Sequence, residues 1–76
     1  MVFKGLKGRI ENDFTFHPPK EGQCEKYEAI RAKAKEYAFL IAELTPTSRE
    51  QAASLTNLDQ VVFWANAAIA RNEEVA

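Results

Sequence analysis

The sequence predicts an all-α chain, an antiparallel helical hairpin with a short N-terminal helix or arm, assembling into a compact oligomer. Three observations carry that prediction. Tyr27, Ile30, Ala34, Tyr37, Ile41 and Leu44 recur at a 3-4-3-4-3 spacing, which draws one apolar seam along a helix. Leu55, Leu58, Val62, Ala65 and Ile69 draw a matching seam further along. Only a short break at Thr45-Pro46 separates the two, so the helices must fold back on each other.

The 76 residues make a single domain with no internal repeat and no linker: an N-terminal arm over 1–13, an aromatic and proline loop over 14–23, and helices over 24–44 and 48–72. In the arm, Val2, Phe3, Leu6 and Ile10 mix with Lys4, Lys7 and Arg9, and the set at 3, 6 and 10 has helical spacing. Gly5 and Gly8 each cost about 1 kcal/mol relative to Ala in a helix, so a helix here needs packing to hold it. The loop reads Phe14-Thr15-Phe16-His17-Pro18-Pro19-Lys20-Glu21-Gly22. Each Pro fixes its own φ and pushes the residue before it to extended geometry. His17, Pro18 and Pro19 therefore run as a stiff segment just behind two displayed rings. The first long helix is filled with good helix formers, chiefly Ala, Glu, Lys and Arg, and ends at Thr45-Pro46. The second opens on Thr47-Ser48-Arg49-Glu50, read as a capping box in which Thr47 caps and Glu50 reaches back.

A second stripe lies beside the seam of the last helix: Val61, Trp64 and Ala68, continued by Asn57 at one end and Arg71 at the other. One seam is enough to close a hairpin. The second stripe has nothing in the chain to cover it beyond what the arm can reach. A Trp-centred apolar face rimmed by Asn and Arg reads as a subunit interface, and Ala65, Ala67, Ala68 and Ala70 allow close helix approach.

Composition narrows the function. A chain this short buries only about 60% of its unfolded surface, which leaves it marginal alone. The single Cys24 excludes an internal disulfide, and with one His17 the chain falls far short of a zinc set, so neither metal nor cofactor is expected. No run approaches the ~20 apolar residues of a membrane span, and the N-terminus lacks the features of a signal peptide; a soluble, intracellular protein with no membrane partner is expected. Ten basic and 11 acidic side chains give a net charge of −1, which argues against DNA binding. A small anionic ligand needs only a local pocket. For catalysis, the lone His is followed directly by two prolines, and carboxylates alternate with bases as in Glu25-Lys26, Lys35-Glu36 and Arg49-Glu50, the pattern of a solvated face. With no Gly-rich phosphate loop either, the chain is read as a binder rather than an enzyme.

The loop supplies what a binder of nucleotides needs: rings to stack a base, and basic helix positions nearby for a phosphate. The competing reading is that Phe14 and Phe16 plug the open end of the hairpin.

Phe14 to Gln23, then Glu25-Lys26-Tyr27-Glu28-Ala29-Ile30-Arg31, the later Thr47-Ser48-Arg49-Glu50-Gln51 and the C-terminal Trp64-Ala65-Asn66-Ala67-Ala68-Ile69-Ala70-Arg71-Asn72-Glu73 together resemble a family of small phage proteins. These are the anti-CBASS cyclic-oligonucleotide sponges, whose helical-hairpin domain is shared with some anti-Thoeris sponges. The resemblance spans Phe14 to Glu73 and leaves the first dozen residues outside it. It implies sequestration of the cyclic di- and trinucleotide second messengers of bacterial antiphage signalling, without hydrolysis, in the host bacterial cytoplasm. It also implies a compact homohexamer with ligands held between protomers. Phe16 stands where the family commonly has Tyr, so a ring remains but a hydroxyl is lost, and Cys24 stands where Pro is usual.

The ligand's chemistry then selects candidates. Phe16 is the stacking ring, with His17 and Pro18 as the wall beside it. Lys26 and Lys33, seven apart on one helix face, and Arg31 nearby are the phosphate candidates; any one of these lysines is alternatively plain solvated surface. Asn66, Arg71 and Asn57 are candidates for a larger ligand at a junction of subunits, at a site separate from Phe16; their alternative role is interface hydrogen bonding. The rival function is a small helical oligomeric phage protein that binds another protein through its Trp64 face. A DNA-binding hairpin comes third.

Overall fold

The computed structural model describes residues 5–73, so Val2, Phe3 and Lys4 of the predicted arm lie outside the described residues. Among the described residues there are three helices and no strand: α1 Gly5–Asp13, α2 Gln23–Leu44 and α3 Arg49–Asn72. The two long helices pair antiparallel. Residues near the start of α2 meet the end of α3, as Gln23 Nε2 does Ile69 O at 3.5 Å, while the end of α2 meets the start of α3. The short helix α1 is tied by Asn12 Nδ2, which donates to Arg71 O at 3.0 Å. Leu6 and Ile10 stay exposed, so α1 is held by polar contacts rather than by apolar packing.

The α2 helix starts one residue earlier than its predicted 24. Gly22 precedes it at φ 83°, in the left-handed region where a side chain is disfavoured, and Gln23 N donates to Lys20 O at 3.0 Å. Along α2 the half-buried seam is Tyr27, Ile30, Ala34, Ala38 and Ile41. Tyr37 and Leu44, both expected on the seam, are exposed instead. A straight helix turns 3.6 residues per turn rather than 3.5, so over 22 residues a strict heptad drifts off the contact line. One step of four, from Ala34 to Ala38, brings it back. The α3 seam is half-buried at Leu55, Leu58, Val62, Ala65 and Ile69, as expected.

The cap of α3 sits one residue later than read from sequence. Ser48, in extended geometry, is the N-cap, and its Oγ accepts from Gln51 N at 3.0 Å. Both Thr47-x-x-Glu50 and Ser48-x-x-Gln51 satisfy the capping-box spacing. The second prevails because Gln51 has an amide to donate: its Nε2 reaches Thr45 O and Thr45 Oγ1, each at 3.1 Å. A Glu carboxylate has no proton to donate to Thr45 O.

The molecule measures 46 × 28 × 17 Å. Its shortest dimension is under two helix diameters of about 10 Å each, so every helix keeps a solvent side. Among the described residues no apolar side chain is fully buried; the only buried side chain is Gln23. On the second stripe Trp64 is 68% exposed and Val61 60%. The arm reaches only its far end, where Arg9 and Asp13 come beside Trp64, Ala68 and Arg71.

Candidate ligand groove at the open end of the hairpin

A polar knot centred on Gln23 closes the open end. Its Oε1 accepts from Lys20 N at 2.9 Å, and its Nε2 donates to Glu73 Oε1 at 3.0 Å as well as to Ile69 O. The second Glu73 oxygen takes Lys26 Nζ. Those bonds to Lys26 and Gln23 hold the Glu73 carboxyl below its ordinary range, against a smaller opposing effect of desolvation. The loop is thereby pinned to both long helices. Phe14 and Phe16 do not plug the hairpin: they are 86% and 82% exposed, and Gln23 occupies the place that reading gave them.

Beside the knot runs a groove of about 520 Å³, lined by Thr15, Phe16 and His17 from the loop, Tyr27 and Arg31 from α2, and Asn66, Ala67, Ala70 and Arg71 from α3, with Asp13 at its edge. The volume is that of an ordinary small-molecule site. His17 Nε2 lies 2.7 Å from Asn12 O, an oxygen that can only accept, so Nε2 carries the proton and donates. That bond fixes the ring against the end of α1. Asn66 Oδ1 is buried without a hydrogen-bond partner. A buried acceptor left unpaired costs about 1–3 kcal/mol, and such atoms are rare enough in folded proteins to call for an explanation. Asn66 itself lines the groove, with this oxygen covered in the present conformation.

The structure therefore gathers Phe16, His17, Arg31, Asn66 and Arg71 into one place. Sequence reasoning put Asn66 and Arg71 at a junction apart from Phe16; in one protomer they line the same groove, because antiparallel pairing sets the last turns of α3 against the first turns of α2 and the loop that precedes them. Asn57 lies away from it, exposed on α3. Pro18 is exposed and outside the groove lining. Lys26 is engaged with Glu73, and Lys33 pairs with Glu36 at 3.2 Å on an exposed face of α2. Sequence reasoning missed Asp13, which stands 3.6 Å from Arg71 and 3.5 Å from Arg9. It counted Tyr27 as a seam residue alone. It also passed over Gln23, whose position in a first helical turn gives no signal of burial.

Among the described residues no group of His, Cys, Asp and Glu is placed to hold a metal ion, and no helix is long and apolar enough to cross a membrane. No curated protein and no solved structure matches the chain. The family model of the Acb2/Tad1 hairpin domain matches residues 7–70. The match begins inside α1, earlier than the Phe14 start of the sequence resemblance, which accords with the docking of α1 onto α3 through Asn12.

Proposed function

The chain belongs to the Acb2/Tad1 hairpin family, that of the anti-CBASS and anti-Thoeris sponges, and from that premise we propose that it sequesters cyclic di- and trinucleotide second messengers of bacterial antiphage signalling without hydrolysing them. The observation that carries this reading is the groove in which an exposed ring, two guanidinium groups and the orphan acceptor Asn66 Oδ1 converge. Phe16 offers a face for a base, a contact worth about 1–3 kcal/mol, while Arg31 and Arg71 supply the forked donors that phosphate oxygens accept. A turn of the Asn66 amide would bring its Oδ1 to an exocyclic amine or a sugar hydroxyl. Sequestration without turnover fits the acid–base groups: His17 turns its Nε2–H to a backbone carbonyl, and Asp13 faces two arginines, so neither is aimed at a nucleophile.

The assembly we propose is a homohexamer acting in the host bacterial cytoplasm. Small-molecule sites enclose about 70–90% of their ligand, and an open groove on one protomer supplies only one wall. A neighbouring copy seated on the Val61 and Trp64 face would supply the other. Native mass spectrometry with a panel of cyclic di- and trinucleotides tests the proposal. Ligand-loaded oligomers that release intact ligand on heating are expected; unloaded oligomers across the whole panel, or linear products, overturn it. A second reading, capture of another protein through the Trp64 face, is favoured by the exposure of that face and gains if the panel leaves the protein empty.

A further inference from the structure

The groove contains an anion of its own. Asp13, the last residue of α1, places Oδ1 3.6 Å from Arg71 Nη1 and Oδ2 3.5 Å from Arg9 Nε. Its side chain is only 20% exposed and that of Arg71 33%, so the pair is partly withdrawn from water. The two form a ridge between the ligand groove and a second hollow of about 310 Å³ lined by Arg9, Trp64, Ala68 and Asn72. Two guanidinium groups, Arg31 and Arg71, face the groove, and one carboxylate cancels half their formal charge.

We infer that Asp13 is an internal competitor that sets how tightly the groove holds a phosphate-bearing ligand. A phosphate reaching Arg71 must displace this carboxylate or share the guanidinium with it. Arg9 matters because it draws the carboxylate away from Arg71 and gives it somewhere to go when the ligand arrives. The inference rests on the sponge reading for its ligand, but the competition itself concerns any phosphate anion at Arg71.

The test measures affinity for cyclic di-AMP by calorimetry. Inorganic pyrophosphate is followed separately through the Arg71 Nε–Hε resonance. Asp13→Asn is expected to bind both anions about two- to fivefold tighter, the range set by a partly exposed ion pair. Its salt dependence should steepen, because Arg71 no longer arrives already paired. Asp13→Glu, which keeps the charge, stays near the parent protein, and Arg9→Gln, which leaves the carboxylate to Arg71 alone, binds more weakly. A merely structural role for Asp13 would not steepen the salt dependence or give the two substitutions opposite signs. If Asp13→Asn leaves affinity unchanged or lower, or Arg9→Gln changes nothing, the inference falls even where cyclic di-AMP binds well. Tighter pyrophosphate binding by Asp13→Asn with no cyclic di-AMP binding upholds the competition and counts against the sponge reading. Absence of binding of both anions to every variant overturns both.

Discussion

The two ends of the hairpin are held by opposite kinds of chemistry. At the closed end every bond is local: Thr45 Oγ1 donates to Ile41 O at 2.6 Å, Ser48 Oγ to Pro46 O at 3.0 Å, and Gln51 ties back to Thr45. Partners there stand six residues apart at most. At the open end local bonds are joined by others that link residues 46 to 59 positions apart, through Gln23, Lys26, Glu73, Asn12 and Arg71. The closed end spends its polar groups on itself. The open end leaves Asn66 Oδ1 buried without a partner, and two arginines and a bare ring lining the groove. A turn can be built from neighbours, whereas a binding groove needs side chains that the fold brings together and does not satisfy.

The severest challenge to that contrast is Trp64→Ala. If a second copy covers the Trp64 face, truncation costs about 3–5 kcal/mol and dissociates the assembly; if the face is solvated as in the lone protomer, the change stays within about 0.5 kcal/mol. Sedimentation velocity with thermal unfolding separates the two, and unchanged mass with unchanged stability would remove the face from any interface.

Gln23→Ala attacks the open end directly. Three hydrogen bonds are lost and Lys20 N is left without its acceptor, at a cost of about 1–3 kcal/mol by denaturant titration. Hydrogen exchange should rise at the open end and stay level around Thr45 to Gln51. Equal loosening at both ends would erase the distinction between them.

Phe16→Ala separates binding from fold. Cyclic dinucleotide affinity should fall by about 1–3 kcal/mol, while the melting temperature hardly moves, since the ring is exposed. Because Asn66 and Arg71 share its groove, trinucleotide binding should weaken too. Full trinucleotide affinity in calorimetry would mean that the two ligands use different places.

Ser48→Ala sharpens the closed end, with an expected loss of about 1 kcal/mol, against a few tenths for Thr47→Ala. The reverse ranking in thermal melts would restore Thr47 as the cap.

Acid gives the mildest effect. Glu73 titrates below its ordinary value of 4.5 in the folded state, so its contribution is fully present above that value and is lost as pH falls through the depressed folded-state value. Glu73→Gln should flatten the loss of stability below pH 4.5 and leave neutral pH nearly unchanged. An identical acid profile would show that the Lys26 and Gln23 contacts do not bias the carboxyl.

This contrast also explains what the sequence revealed. The α3 seam, the break at Thr45-Pro46 and the uncovered Trp64 stripe are written in spacing and local residue type, and they were legible. Even the capping error was a slip of one between two motifs with the same spacing. Groove residues were legible by kind but not by company. Phe16, His17, Arg31, Asn66 and Arg71 were each singled out, yet their meeting depends on hairpin register. Lys26 was assigned to a phosphate because Glu73 is 47 residues away in sequence. Counting outward from the turn sets Lys26 opposite Asn66 and Ala67, six or seven residues short of Glu73, so the count alone does not reveal the pair. Gln23 gave no warning, since a Gln in a first helical turn resembles any surface helix former.

A hairpin fastened at its turn by near neighbours is expected to close like a zipper, from Thr45 and Ser48 outward, because short loops cost the least entropy to form. The groove lies at the last teeth. It comes into being only when the first turns of α2, the last turns of α3 and the arm have all met, and it is the first part to be lost when they separate. Whatever occupies it therefore acts as a clasp on the whole chain. A filled groove adds to the Gln23 knot in holding that end shut.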